Sequence, residues 1–382
     1  MRPTVPFLAL VDSYSELKRE IDDAMRRVLE HGQYIMGKEL SAFESEYAAY
    51  TESKFAVGVA NGLDALVLAL RALDVGENDE VIVPANTYIA TWLAVSHVGA
   101  KVVPVEPDAH TCNLDPNKIA EKITKSTKAI LPVHLFGHPA DLDGILEVAK
   151  AHKLVVVEDA AQCHGAAYKR RRIGSHSDAV AWSFYPGKNL GAIGDGGAVT
   201  TNRADVADRV SVLRNYGSRV KYYNEVIGFN SRLDELQAAI LRVKLRVLDG
   251  WNERRREIAR RYIDALSASK SISLLQTLPG TDHVYHLFVI EHPRREEFQK
   301  QLAAAGIATM IHYPVPPHLS GAYQSLGYRE GSFPISERGA NTHLSLPMGP
   351  HLTADDQERV IAACLSDVSA RSRDVGLLST AP

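Results

Sequence analysis

Between Phe55 and Thr201 the chain alternates seven short apolar runs, FAVGVA, EVIVPA, KVVPVEP, KAILPVHLF, LVVVED, AVAWSF and GAVTT, with segments of helical spacing such as NGLDALVLALRAL and TYIATWLAVSHVGA. Runs that are apolar at nearly every position suit strands buried on both faces, and the intervening helices supply the crossovers that parallel strands require. The pattern therefore predicts an α/β fold whose large domain holds a mostly parallel seven-stranded sheet covered by helices on both sides.

At 382 residues the chain has room for a second unit. A helical connector is expected from Arg232 to Leu266, followed by a smaller C-terminal α+β domain built from HVYHLFVI, RREEFQKQLAAAG, IATMIHYPV and ADDQERVIAACLSDV. The expected division is a large domain with the N-terminal segment over residues 1–245, a small domain over 246–370 and a tail over 371–382.

The formal net charge is -3, which argues against a polyanionic partner such as nucleic acid. Three cysteines, Cys112, Cys163 and Cys364, lack CxxC spacing, so neither a disulfide framework nor a thiolate zinc site is expected and a cytoplasmic setting fits best. The apolar start meets Asp12 at once and has no basic region with a cleavage site, so no signal peptide is expected. No apolar run approaches the roughly 20 residues of a membrane span. The histidines, His134, His138 and His164 included, form no HExxH-like set, and no metal is expected.

The most unusual local sequence is SFYPGKNLGAIGDGG, Ser183 to Gly197, which encloses Lys188 among glycines. It is not a phosphate loop of the GxxxxGK[ST] kind, because Asn189 follows the lysine. A dinucleotide fingerprint opens a helix after a strand, whereas GAIGDGGAVTT runs into a strand. A surface lysine on a glycine turn remains open from this stretch alone.

The neighbours give it a second meaning. Open α/β sheets bind ligands beyond the carboxyl ends of their strands, and there the pattern places Asp159, Ser183, Lys188 and the helix start at Gly62 and Leu63. Pyridoxal phosphate (PLP) needs an amine for a Schiff base, a carboxylate against its ring nitrogen and donors for its phosphate. Lys188, Asp159, and Ser183 with the N–H groups of Gly62 and Leu63 match these needs. Tyr88 is a candidate to stack on the ring and Gln162 to reach its phenolic oxygen; for Tyr88 an ordinary half-buried aromatic is the alternative.

These residues, with VPFLALVDSYSELKREID, GQYIMGKELSAFESEYAAY, ILPVHLFGHPADLDGI and IGFNSRLDELQAAIL, resemble the PLP-dependent sugar aminotransferases of the DegT/StrS type, a branch of the fold type I aminotransferases. The resemblance covers nearly the whole chain. It implies Lys188 as the Schiff-base lysine, Asp159 as the ring-nitrogen partner, Gln162 and Tyr88 as ring contacts and Ser183 as a phosphate ligand. Asn230 is then the residue that reaches the cofactor phosphate of a second subunit, so a homodimer with shared active sites is implied.

Relatives that carry histidine in place of the lysine are dehydratases, a branch that Lys188 excludes. The resemblance further implies L-glutamate as donor and a nucleotide-linked keto-deoxysugar as acceptor. NGLDAL, NTYIATWLAV and SFYPGKNLGA are most similar to the subgroup that aminates C-3 of a dTDP-3-keto-6-deoxyhexose, where Tyr185, His312 and Tyr313 would face the sugar. Amination at C-4 of a 4-keto sugar, amination of a keto-cyclitol, and a non-catalytic PLP-binding regulator remain as alternatives. Without the resemblance, His312 and Tyr313 read as a buried strand pair.

Overall fold

The structure is a computed structural model that describes residues 4–367, so the expected tail over 371–382 lies outside the described residues. The seven apolar runs are seven strands: β1 (Phe55–Val59), β2 (Glu80–Pro84), β3 (Lys101–Val105), β4 (Thr127–Ile130), β5 (Val155–Asp159), β6 (Ala179–Ser183) and β7 (Gly197–Thr201). They form one sheet in the order β1-β7-β6-β5-β4-β2-β3. All pairings from β6 to β3 are parallel, and β7 runs antiparallel to both β6 and β1. Two reversals restore the direction, so β1 ends at the same edge of the sheet as β5 and β6.

Twelve α-helices are described: α1 (Leu10–Glu16), α2 (Lys18–His31), α3 (Lys38–Tyr50), α4 (Gly62–Ala72), α5 (Ile89–His97), α6 (Leu142–His152), α7 (Ala204–Leu213), α8 (Glu235–Leu245), α9 (Leu248–Leu266), α10 (Arg295–Ala304), α11 (Pro334–Thr342) and α12 (Ala354–Leu365). In α4, Ala65 to Leu70 are all buried, so this helix is apolar around its circumference. It lies between the sheet and neighbouring helices, in a core shared with Val83, Trp92, Val157, Val199 and Val210. On the other face Phe43, Tyr47, Trp182 and Phe184 meet edge to face, with Leu233 and Leu241 in the same cluster.

Two expectations change. The single helix expected from Arg232 to Leu266 is two, because the chain turns at Arg246 and Val247, where the Val247 N–H closes a short bond of 3.1 Å to the Lys244 carbonyl. The turn lets α8 bury Ala238 and Leu241 while α9 directs Trp251 and Tyr262 elsewhere. The segment DPNKIAEKI, whose apolar spacing after the third run also reads as a helix, is two 3-10 turns, Pro116–Lys118 and Ala120–Lys122, against which Gly144 of α6 packs so closely that a Cβ there would lie 2.8 Å from Pro116.

Three further strands, β8 (Ser273–Leu274), β9 (Phe288–Glu291) and β10 (His343–Leu346), make a small antiparallel sheet. It shares a core with Ile258, Tyr262 and Leu266 of α9, Phe298 of α10 and Val360 of α12. Val5 is buried in this same core and bridges Ile307. His312 and Tyr313 lie on the irregular segment beyond Met310, which bridges Ser345, and not in a strand.

One buried acid, the first residue of α8, ties the start of α3 to that helix. The Glu235 carboxylate, 3% exposed, accepts from the N–H groups of Gly37 at 2.6 Å, Glu39 at 2.9 Å and Leu40 at 3.0 Å, at the start of α3. It satisfies donors that have no partner inside the helix, and its charge suits the helix N-terminus. Glu235→Ala leaves these donors without their acceptor and is expected to cost about 3 kcal/mol, read as a lower urea midpoint at unchanged slope; an unchanged midpoint would show that α3 holds its place without Glu235.

Candidate active site

The site forms where β1, β5 and β6 end. Gly197 pairs with Val59 on one side and Ser183 on the other, so the chain leaving β1 toward α4 runs beside Ser183. Asn61 caps α4, its side chain accepting from the Asp64 N–H at 2.8 Å. Gly62 and Leu63 open the helix, and as its first residues their N–H groups have no acceptor within it. A Cβ on Gly62 would lie 2.5 Å from Ser183 Cβ, and one on Gly197 would lie 2.3 Å from the Asn61 carbonyl oxygen. Only glycine at both places lets the helix start sit against β6 and β7.

Asp159, the last residue of β5, is 6% exposed. Its Oδ1 accepts from the Ala161 N–H at 3.1 Å and its Oδ2 from the Thr91 hydroxyl at 2.9 Å; Thr91 lies 2.9 Å from the Thr87 hydroxyl in turn. Burial raises the Asp159 pKa above the usual carboxylate range, while the Ala161 and Thr91 hydrogen bonds and the Lys188 charge oppose the rise.

Lys188 is half-buried on the turn after β6, its N–H donating to the Tyr185 carbonyl at 2.8 Å. Burial lowers the amine to about 8, against the pull of Asp159. Its neighbour Asn189 anchors the turn, donating to Asn252 of α9 at 2.9 Å and to the Val284 carbonyl at 3.0 Å.

Gln162 lies on a turn, not on a helix: its Oε1 accepts from the Phe136 N–H at 2.6 Å and its Nε2 donates to the Tyr313 hydroxyl at 3.0 Å. The Tyr313 ring is 5.2 Å from that of Tyr88, which precedes α5 and is largely exposed. His312 Nδ1 is 2.8 Å from the Ser345 hydroxyl, and its ring is 5.9 Å from that of Phe7. Burial, with a contribution from Lys188, lowers His312 to about 4, so it is neutral near pH 7.

Thus Gly62, Leu63 and Ser183 meet at one point, and Tyr88, Gln162 and Tyr313 form a second contact group linked to Asp159 through the β5 turn. Tyr185 is exposed beside Lys188, and Asn230 is exposed beyond the hairpin of Ser218–Val220 and Tyr223–Asn224. The structure does not join either side chain to the others by a hydrogen bond within the chain.

Sequence reading missed Thr87 and Thr91, whose NTYIAT context offered only the helix start as a signal. His134 and His138 sit away from any metal arrangement: His134 bonds Glu158 at 2.8 Å, and the His138 ring stacks 5.2 Å from His283. Among the described residues no group of three or more His, Cys, Asp and Glu is placed to hold a metal ion, and no helix is long and apolar enough to cross a membrane.

A half-buried lysine of lowered pKa, a buried carboxylate fixed by two donors, and a helix start pressed against a serine through a glycine are the amine, the carboxylate and the phosphate donors that pyridoxal phosphate needs. The residues fit that cofactor, since the Gly62 cradle is one that a Cβ would fill and the Lys188 amine has no hydrogen-bond acceptor among the described residues.

The chain belongs to the DegT/DnrJ/EryC1/StrS aminotransferase family, which it matches over residues 15–365. It is 55% identical to dTDP-3-amino-3,4,6-trideoxy-alpha-D-glucose transaminase of Streptomyces venezuelae, over 94% of this chain and 95% of that one. It is 53% identical to dTDP-3-amino-3,6-dideoxy-alpha-D-galactopyranose transaminase of Aneurinibacillus thermoaerophilus, over 94% and 98% of the two chains. The crystal structure of S. venezuelae DesV in complex with ketimine intermediate superposes with a TM-score of 0.94 at 54% identity, covering 95% of this chain and 98% of that one. The protein is an aminotransferase of fold type I, and pyridoxal phosphate is its cofactor.

Two outcomes follow from the geometry. Thr91→Val removes one donor from Asp159, favours its protonated form further, and is expected to weaken PLP binding roughly tenfold or more in a fluorescence titration of cofactor-free protein. Equal affinity would show that Ala161 alone holds the carboxylate. An aldehyde is captured only by a neutral amine, so covalent uptake of PLP at Lys188 would fall about tenfold per pH unit below about 8 and level off above it; a flat profile from pH 6 to 9 would contradict either the lowered pKa or capture by Lys188.

Proposed function

We propose that the protein moves the amino group of L-glutamate to the C-3 ketone of a dTDP-linked 3-keto-6-deoxyhexose, giving a dTDP-3-amino-3,6-dideoxyhexose. The observation that carries this reading is that two relatives, at 55% and 53% identity over 94% of the chain, are both transaminases named for 3-amino sugars on dTDP.

In this reading Gly62, Leu63 and Ser183 would hold the cofactor phosphate, and Asp159 would keep a proton on the ring nitrogen. Pyridoxal phosphate, when bound, supplies an electron sink for the carbon that carries the amine. Lys188 anchors the cofactor and, once displaced, takes a proton from the donor carbon and delivers one on the return. Its lowered pKa supports both roles, because each needs a neutral amine. Gln162 and Tyr88 hold the ring, and the Gln162 bond to Tyr313 links that contact to the sugar side. Tyr185, His312 and Tyr313 recognise sugar hydroxyls; His312 does so as a neutral ring, which suits an uncharged ligand.

The working unit is a homodimer in which Asn230 reaches the partner's cofactor phosphate. In support, the loop before Asn230 exposes Tyr222 at 83% and Ile227 at 87%, an apolar surface that a second copy would cover. A large domain over 1–245 and a small one over 246–370 would then flank the cleft, and the setting is cytoplasmic.

The test is to add L-glutamate to the PLP-loaded protein, follow the change in cofactor absorbance, and then offer dTDP-3-keto and dTDP-4-keto sugars separately. Return of the starting spectrum with the 3-keto sugar alone, and a C-3 amine by NMR, is the expected result; return with the 4-keto sugar alone would move the reaction to C-4. Lys188→Ala is expected to abolish turnover, and undiminished turnover would remove Lys188 from the mechanism.

A further inference from the structure

Behind the turn that carries Lys188 lies a cavity lined also by Asn189, Lys244, Arg255 and the N-terminal residues Leu8 and Leu10. Arg255, on α9, is 3% exposed, and Lys244, on α8, is 6% exposed. Burying a charge is costly unless an opposite charge or a full set of hydrogen bonds meets it. Among the described residues neither cation has a carboxylate partner, and no Asp or Glu lines the cavity.

Lys244 Nζ donates to the Gly191 carbonyl at 2.6 Å. Arg255 uses Nη1 alone, on the Tyr285 carbonyl at 3.2 Å and the Met348 carbonyl at 3.4 Å; Nε and Nη2 have no acceptor among the described residues. Glu16 of α1, which meets the lining residues Trp251 and His351, is engaged by them and by Arg254. Burial lowers Lys244 to about 8, and an arriving anion would reverse that shift.

We infer that this cavity receives the carboxylate of the amino-acid donor, with the unused donors of the Arg255 guanidinium and the Lys244 ammonium as its counter-charges. The inference rests on the transamination reading and names a site within it. An amino acid suits the placement because its carboxylate is one carbon from the amine that must reach Lys188. The sugar's diphosphate, by contrast, is separated from C-3 by ring atoms. A planar guanidinium with free donors matches a carboxylate in shape, which a lysine at the same place would not. Arg255 reaches the cavity from α9, the helix that also holds Asn189 through Asn252, so the anion site and the Lys188 turn share one support.

The experiment separates the two half-reactions. With PLP-loaded Arg255→Gln, the L-glutamate concentration for half-maximal absorbance change is expected to rise ~10–100-fold, the loss of charge-assisted hydrogen bonds. The reverse step from the aminated cofactor with keto sugar should keep the wild-type concentration dependence, and a primary amine without a carboxylate should react equally with both proteins. Glutarate, a dicarboxylate without an amine, is expected to bind the wild type by calorimetry and to lose that binding in Arg255→Gln. Lys244→Met should show a smaller shift of the same kind, and serves if Arg255→Gln fails to fold. An equal response of wild type and variant to L-glutamate would overturn the inference, as would a variant weakened toward the keto sugar alone, which would assign the cavity to the diphosphate. If the wild type itself never responds to any amino acid, the transamination reading falls; a responding wild type with an indifferent variant removes only the donor site.

Discussion

A carboxylate withdrawn from water sets the terms for the rest of this molecule. Asp159 ends β5 almost without solvent, where an ion needs compensating donors or a nearby cation. The fold provides an N–H from the turn it begins, a hydroxyl from the first turn of α5 and the charge of Lys188 across the site. Each provision fixes an element: the β5 turn brings in Gln162, α5 must start beside the sheet edge, and the turn after β6 must hold its lysine inward. The parallel order of β6, β5, β4 and β2 makes these ends neighbours, so topology and electrostatics demand the same arrangement.

The lysine imposes its own pattern. Burial lowers its pKa to about 8, and the histidines around it are pushed the same way. His164 is lowered to about 3 and His286 well below its ordinary value, in both cases by burial first and the Lys188 charge second. These rings stay neutral near pH 7, and that of His164 packs against Trp182 and Phe184, so the groups that feel the Lys188 charge include neutral imidazoles. Among the described residues, Asp159 is the carboxylate whose charge opposes the lowering of the Lys188 pKa. Such surroundings favour a lysine that changes protonation state during use, which an arginine could not do.

Much of this was legible in the linear sequence because each strand declares itself. Seven apolar runs gave seven strands, and residues that follow a strand end must gather at the sheet edge, which is how Asp159, Ser183, Lys188 and Gly62 came together on paper. The antiparallel course of β7 left no such mark, since GAVTT reads alike in either direction; its consequence, the alignment of Val59, Gly197 and Ser183, appears only in the register. Thr91 was invisible because one hydroxyl in an apolar helix says nothing of a carboxylate 68 residues away. The break between α8 and α9 was equally silent, for no glycine or proline stands at Arg246 or Val247 and tertiary packing alone decides it.

That break explains how the far part of the chain serves the sheet edge. After it, α9 begins with Leu248 in the core that holds Trp182 and Phe184, and ends with Ile258, Tyr262 and Leu266 in the core of the small sheet. One rigid helix thus spans two cores, and Asn252, at the crossing, bonds both Asn189 and the His164 carbonyl at 2.9 and 2.8 Å. Any shift of the small sheet relative to the large one must act on α9, and through Asn252 on the residue next to Lys188. Arg255 lies one turn further along the same helix, held to the Tyr285 and Met348 carbonyls of the C-terminal segments. The Lys188 amine and the buried guanidinium therefore keep a common frame even though their sequence positions are distant, and the position of the small sheet is part of what sets the geometry around Lys188.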